Sequence, residues 1–408
     1  MGADTCRGLL QFSKSEPLGK EGLFWLKVHL CNLFGNNKMS FVDRVQFTDD
    51  HMELIRDSAS KPLTGSKWWA TAEEPWQALA ACKELTNANE CKYPEEYMSS
   101  LPIHADGSCN GLQHYAALGG DIVGAKAVNL HPDVKPGDVY SGVAELVSKA
   151  VAKDAQNPDS PDYPIAVLLH GKVVRRTIKQ TVMTKVYGVT RPGARLQIEN
   201  ALKDLGTLSP SLPELDRVHW KASNYLAGLT FDALRDMFSA ATIIMEWLQD
   251  CAALISAKSQ PVSWVSPIGL PIIQHYRRPS TKRVQTIVQQ VNLEDDSQPI
   301  SLARQKSAFP PNFVHSLDSS HMFFTALRMD QEGLTFGSVH DSFWTHACHV
   351  PRMSRLLREE FVRLHSQPLL HDLYNHFRSV HPNINFPPVP ARGQFDLKNV
   401  LDSPYFFH

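Results

Sequence analysis

Residues 172–188, KVVRRTIKQTVMTKVYG, decide how the rest of the chain is read. As a helix they set Arg175, Lys179, Met183 and Tyr187 at successive i, i+4 positions along one gently drifting stripe. Between residues 171 and 195 there are seven Lys or Arg and no Asp or Glu, in a chain whose net charge is −1. Two cations one turn apart, followed by an aromatic ring, suit a substrate with phosphates at one end and a flat base at the other. Arginine grips phosphate as a fork and lysine as a point charge. A tyrosine ring offers a stacking surface, and its hydroxyl can read a sugar. A charge run by itself also describes a solvated helix face, so the reading depends on what other segments bring to this one.

The 408 residues suffice for a large core in two or three lobes. A hydrophobic share of 43% and a charged share of 20% are those of an ordinary globular protein. Near-neutral net charge excludes an overall cationic coat but allows a local basic cleft. The seven cysteines are scattered with no C-x-x-C pair, which argues against a zinc knuckle or a disulfide framework and for a reducing compartment. No apolar run reaches the roughly 18 residues of a membrane span. The first residues run almost directly into an amphipathic pattern at Leu9, Leu10 and Phe12, without signal- or transit-peptide character. The expectation is a piece of a larger protein.

Residues 1–100 read mainly as helices, with GKEGLFWLKVHLCNLFG and 41–58 helical, Trp68 and Trp69 in the core, and a helix through Trp76 to Leu85. SLPIHAD, at 100–106, reads as a strand that delivers Asp106 to its end. Gly107 follows, and a helix opens at Asn110. That pattern presents a metal ligand, although a helix cap looks the same. Helices are expected around 139–153, over LQIENALKDL, and as one long element over FDALRDMFSAATIIMEWLQDCAALISA. From Pro261 the period becomes strand-like around SPIG and a basic tip at Arg277, Arg278, Lys282 and Arg283, a plausible nucleic-acid-reading hairpin. FPPNFVHSLDSSH starts a helix after the double proline, with His315, Asp318 and Ser319 in its first turns. GLTFGSVHDSFWTHA reads as a hairpin with Asp341 at its tight turn, flanked by apolar Val339 and Phe343. The aromatic end, YFFH, is expected to dock.

Two aspartates at separate strand ends, a basic helix ending in tyrosine and no cysteine-based metal site favour one chemistry. Mg²⁺ binds through one or two carboxylates plus substrate phosphates. Two ions about 4 Å apart activate a hydroxyl and stabilise the leaving oxygen of an in-line displacement at phosphorus. Asp106 and Asp341 would be the carboxylates, with Arg175 and Lys179 on the triphosphate and Tyr187 at the base and sugar.

These motifs resemble the catalytic half of the single-subunit, phage-type RNA polymerases, in their mitochondrial and plastid branch. DGSCNGLQHYAA resembles the first catalytic motif, R-x3-K-x7-YG (Arg175, Lys179, Tyr187, Gly188) the fingers motif, and VHDSFWTHA the second catalytic motif. PPNFVHSLDSSH, AVNL, KWW and the closing FDL…YFF extend the likeness over nearly the whole chain. The resemblance implies an α+β, predominantly helical right hand with a small antiparallel palm sheet. Residues 1–122 and 316–408 would be palm, and 123–315 fingers, with helix 172–188 and a specificity hairpin at about 261–300. Asp106, Asp341 and Lys179 would be catalytic, with two Mg²⁺ ions on Asp106, Asp341 and the Gly107 carbonyl. Lys38, Arg175, Lys179, Tyr187, Gly188, His315 and His340 would bind the nucleoside triphosphate. Gly111 stands where related DNA polymerases carry a bulky glutamate, which leaves room for a ribose 2′-OH.

The implied function is RNA synthesis on a DNA template in an organelle, a mitochondrion or else a plastid. The implied partners are template DNA, nascent RNA and NTPs, with organellar transcription factors, a monomeric core and no membrane. Departures from the pattern are the absence of a promoter-binding domain, a thumb and an upstream glycine–arginine motif, and Gln180 where phage members have a second cation. The competing expectations are an incomplete nucleic-acid-binding fragment or a DNA polymerase.

Overall fold

The computed structural model describes residues 14–209, 214–278, 281–286, 288–294, 298–339 and 341–408. The amphipathic stretch at Leu9–Phe12 and His340 therefore lie outside the described residues. The expected strand is β1 (Pro102–Asp106), and the helix after it is α1 (Asn110–Gly119). Next come α2 (Val139–Ala155) and the basic helix, α3 (Arg175–Lys185). The second half contributes α4 (Leu302–Gln331), the strands β2 (Gly337–Val339) and β3 (Ser342–His346), and α5 (Val350–His365). The fold is α+β and mostly helical, with small antiparallel sheets.

β1, β3 and β2 form one antiparallel sheet in that order. Its register sets Asp106 opposite Ser342 and His104 opposite Trp344. β3 is the central strand and all five of its side chains are buried, which is why SFWTH carries no alternation. Two apolar clusters flank the sheet. One gathers the N-terminal helices, with Leu26, Leu30, Ile55 and Leu85 meeting Ile103 and Ala347. The larger one joins α1, α2, α3, α4 and α5 through residues such as Tyr115, Val147, Ile178, Phe309 and Phe361.

Four expectations change in detail. The helix over 41–58 is two, Phe41–Asp50 and Met52–Ser60, because the backbone leaves helical geometry at His51. The long helix over 231–257 is likewise the end of Leu215–Met237 and the whole of Ser239–Ala257, broken at Phe238. Phe238 is only 2% exposed, so burying its ring favours the break. α4 begins at Leu302 and runs through Pro310 and Pro311 rather than starting after them. The prolines remove two N–H groups, which leaves the carbonyls of Lys306 and Ser307 without their usual helical donors.

The fourth change concerns the basic-tipped hairpin, which is two hairpins. Ser263–Val265 pairs with Pro271–Ile273 around SPIG, and Thr281–Gln285 pairs with Gln290–Glu294. The segment read as one strand folds back on itself at Thr286, whose hydroxyl and backbone close the turn with Gln289. Arg277 and Arg278 thus lie at the base of the second hairpin, bonded to Gln298 and Pro299, and not at its tip. Of the two tryptophans, Trp69 is buried while Trp68 is half-buried and stacks on Phe34.

Helix Ser239–Ala257 is long and apolar enough to cross a membrane by length and composition. Here Ile244, Trp247, Leu248, Cys251 and Ile255 bury its apolar stripe within the larger cluster. The C-terminal segment docks as expected. Gly393 donates to Gly119 O at 2.7 Å and Phe395 to Gly120 O at 3.0 Å, laying the chain across the end of α1. Tyr405, Phe406, Phe407 and His408 are all buried.

A Cβ on Gly393 would sit 2.5 Å from the Gly120 carbonyl oxygen, a backbone atom that cannot step aside. Gly393→Ala should therefore cost about 2 kcal/mol, read as a lowered urea midpoint; an unchanged midpoint would show that the strap is not held this way. Histidines set a second expectation. Burial pushes His321 down to about 4, His408 to about 3, and His29 and His365 well below the ordinary 6.5. Below 6.5 the unfolded chain takes up protons that the folded chain refuses. Stability should fall as pH drops from 6.5 toward 4, by about 1.4 kcal/mol per pH unit for each such group. Urea midpoints that stay level across that window would contradict it.

Candidate active site

Pairing of β1 with β3 brings the two predicted aspartates to one place. The Gly107 N–H donates to the Asp341 carbonyl at 3.2 Å, so the end of β1 is stitched to the turn that carries Asp341. On the other side Gly107 pairs with Phe407, and the His408 N–H donates to Asp106 O at 3.1 Å. Asp106 is exposed and Asp341 half-buried. The N-cap of α1 is Cys109, three residues further on, so Asp106 is not the helix cap. A Cβ on Gly107 would fall 1.7 Å from Asn110 Oδ1, so any other residue there would have to displace the Asn110 side chain, whose Nδ2 is bonded to Asp318.

α3 buries Thr177, Ile178, Thr181 and Val182. Its opposite face therefore presents Arg175, Lys179, Met183 and Tyr187, the stripe expected from their spacing. The helix ends in a Schellman arrangement. Val189 N–H bonds to Thr184 O at 3.1 Å and Gly188 N–H to Lys185 O at 3.0 Å, with Gly188 at φ +77°. Gly188 also lies against Ser307, whose carbonyl would be 3.1 Å from an added Cβ. The structure thus gives Gly188 a backbone reason: it stops α3 so that the Tyr187 ring meets the His315 ring of α4 at 4.9 Å.

Lys38 joins this group from the other end of the chain. Burial depresses its pKa, and the charges that it feels include Asp138, Arg175, Arg44 and Lys179. Arg44 holds its loop. Completely buried, it donates to Met39 O at 3.0 Å, Asn37 O at 2.8 Å and Asn32 Oδ1 at 2.8 Å, clamping both neighbours of Lys38. Burial lowers the Arg44 guanidinium to about 10. Tyr187 is pushed up to about 12, chiefly by burial and then by the charges of Cys109, Asp341 and Asp318. Its hydroxyl therefore keeps its proton at any working pH, and it is electrostatically coupled to the aspartate end.

Gly111 does not open onto empty space. Val186, at the end of α3, fills it, with its Cβ and one methyl carbon 3.1 Å from where a Cβ would stand. The glycine thereby lets the Tyr187 end of α3 approach α1.

Several residues here were not singled out as site residues from the sequence. Asp138 caps α2 through Tyr140 N at 3.2 Å and accepts from Arg175 Nε at 2.7 Å. The Tyr140 ring lies 5.2 Å below the same guanidinium. Within PGDVYSG, Asp138 has by itself the pattern of a helix N-cap. Asp318 accepts from Asn110 Nδ2 at 3.0 Å and pairs with His114 Nε2 at 3.3 Å. Burial would raise its carboxyl, yet the His114 hydrogen bond, the His114 and His321 charges and Asn110 together hold it low.

His114, Asp318 and His321 place one ligand atom each within 4.8 Å of one another. Each histidine also reaches beyond the cluster, His114 Nδ1 to His365 Nε2 at 2.8 Å and His321 Nε2 to Leu357 O at 2.8 Å. The cluster works as a buried hydrogen-bond network joining α1, α4 and α5 beneath the aspartates. Asp106 and Asp341, by contrast, offer only oxygen, the donor type that a hard divalent cation takes.

A family model for DNA-dependent RNA polymerase matches residues 16–383. The whole chain is 48% identical to mitochondrial DNA-directed RNA polymerase 1 of Arabidopsis thaliana, covering 42% of that protein. It is also 48% identical to the chloroplastic/mitochondrial DNA-directed RNA polymerase 2B of Nicotiana tabacum, covering 40% of it. Against the chloroplastic DNA-directed RNA polymerase 3 of Nicotiana sylvestris the identity is 47%, over 42% of that protein. The chain spans about two fifths of the length of these relatives. With a match of that extent over both aspartate strands and the basic helix, the chain belongs to the DNA-dependent RNA polymerase family.

Proposed function

We propose that this chain carries the nucleotidyl-transfer centre of an organellar RNA polymerase, extending an RNA 3′-OH on a DNA template with NTPs. The carrying observation is the register of β1 on β3, in which the Gly107 N–H beyond Asp106 bonds to the Asp341 carbonyl and the two acidic strand ends come together. In this reading residues 1–122 and 316–408 form the palm and 123–315 the fingers. Asp106, Asp341 and the Gly107 carbonyl would hold two Mg²⁺ ions, which supply a lowered pKa for the 3′-hydroxyl and charge stabilisation at phosphorus.

The chain's own residues do the rest. Lys38, Arg175 and Lys179 bind the triphosphate, and Lys179 offsets charge on the departing pyrophosphate. The 3′-oxygen gives up its proton and bonds to the α-phosphorus as the bond to pyrophosphate breaks. Tyr187, kept protonated, and His315 face the sugar, and Gly188 fixes where Tyr187 stands. His340 would flank the metal site. Relatives of both mitochondrial and chloroplastic name support an organellar compartment, with the mitochondrion our first assignment and the plastid the alternative. Organellar transcription factors would be partners of a monomeric core.

Extension of an RNA primer on a DNA template with NTPs and Mg²⁺ tests the proposal. Asp341→Asn should bring extension to background while leaving primed-template binding and the unfolding midpoint near wild type. Loss of folding in that variant would remove the assigned role. No extension by the wild type, with template binding kept, would instead mark an incomplete centre that needs the remainder of the longer relatives. Tyr187→Phe should lower the preference for NTPs over dNTPs by about tenfold, the worth of one hydrogen bond, with NTP incorporation spared; unchanged preference would take Tyr187 off the sugar.

A further inference from the structure

Arg175 stands in an acid-free run of chain, yet it is not without a carboxylate. Asp138 reaches it from α2, a tertiary partner 37 residues upstream. The contact is specific in its atoms. Asp138 Oδ2 accepts from Nε at 2.7 Å, and no other polar partner of the guanidinium occurs among the described residues. The two terminal nitrogens are the edge that forms a bidentate pair with phosphate, and they are left available.

Asp138 itself is fixed. Its Oδ1 accepts from Tyr140 N at 3.2 Å, and its Oδ2 also accepts from Ser141 Oγ at 2.6 Å. Its side chain is 13% exposed against 39% for Arg175. A carboxylate held by its own helix cap does not swing aside for a ligand. The Tyr140 ring, 5.2 Å from Arg175 Cζ, supports the guanidinium from below.

We propose that Asp138 is a positioning residue for the triphosphate: it grips Arg175 by Nε, against the Tyr140 ring, so that the terminal edge of the guanidinium faces the phosphates before they arrive. The inference rests on the reading that Arg175 binds the triphosphate. A second consequence is electrostatic. Asp138 is the counter-charge that lets Lys38 and Arg175 share one place without a ligand, and both cations help to hold its carboxyl low against its burial.

The sign of one substitution separates this role from its opposite. D138N removes a negative charge, which alone would strengthen binding of phosphates. Loss of orientation weakens it. The 408-residue chain and D138N are titrated with inorganic tripolyphosphate by calorimetry, beside KM and kcat for NTPs in primer extension. We expect binding about tenfold weaker and KM about tenfold higher, with kcat changed less and primed-template affinity unchanged. In an R175K background, where lysine has no fork to orient, D138N should no longer weaken binding, and the charge effect alone leaves it equal or tighter. D138S, which keeps an oxygen for the helix cap but cannot reach Arg175, replaces D138N if that variant unfolds. Equal or tighter tripolyphosphate binding by D138N in the otherwise wild-type chain, or an undiminished D138N effect in R175K, would overturn the proposal. If the wild type extends no primer yet tripolyphosphate binding shows the expected loss, the inference stands and the catalytic reading beneath it falls.

Discussion

The structure depends on the pairing of two short strands that lie more than two hundred residues apart in sequence. β1 and β3 each supply five residues, and a single hydrogen bond beyond the last pair, from Gly107 to Asp341, ties the two acidic ends together. Because side chains alternate along a strand, a slip of one residue would turn Asp106 to the other face of the sheet. The burial of all five β3 side chains opposes such a slip: moving Phe343 and Trp344 would expose two large aromatic rings. The apolar neighbours of Asp341 thus fix the place of a charged group.

From that pairing the remaining parts take their positions by contact with α1. Its first turn carries Asn110, packed on Gly107 and bonded to Asp318 of α4. Its Gly111 receives Val186, and with it the end of α3. α4 then supplies His315 to the Tyr187 ring. The buried network through His114 and His365 extends the same linkage to α5. Small residues set the distances, and buried hydrogen bonds set the orientations.

What was legible in the sequence follows the range of the forces involved. The stripe of α3 was readable because 3.6-residue periodicity is local, and the end of β1 at Asp106 because glycine follows it. The aromatic end was expected to dock, since four such side chains cannot stay in water cheaply. The break at Phe238 was not legible, because a locally helical sequence was overruled by burial of one ring. Nor was the start of α4 at Leu302, since a double proline locally reads as the first turn of a helix, while here the helix runs through it. Arg44 and Asp138 were missed as parts of the site for the same reason. Each acts through a partner brought near by the tertiary fold, and its own sequence context describes only a helix face or a cap.

The docking of residues 405–408 on the end of β1 bears on how the molecule is made. During synthesis both aspartates, the basic helix and α4 leave the ribosome before these residues exist. Until they arrive, the Asp106 carbonyl lacks the N–H of His408 and the Gln113 amide lacks the carbonyl of Phe406. The core also lacks three aromatic rings. The centre therefore takes its final shape only after residues 405–408 have been made, later than the segments that carry its chemistry. Such an order of assembly is characteristic of slow, high-contact-order folding, and it exposes a nascent chain with its chemistry encoded but its last wall missing.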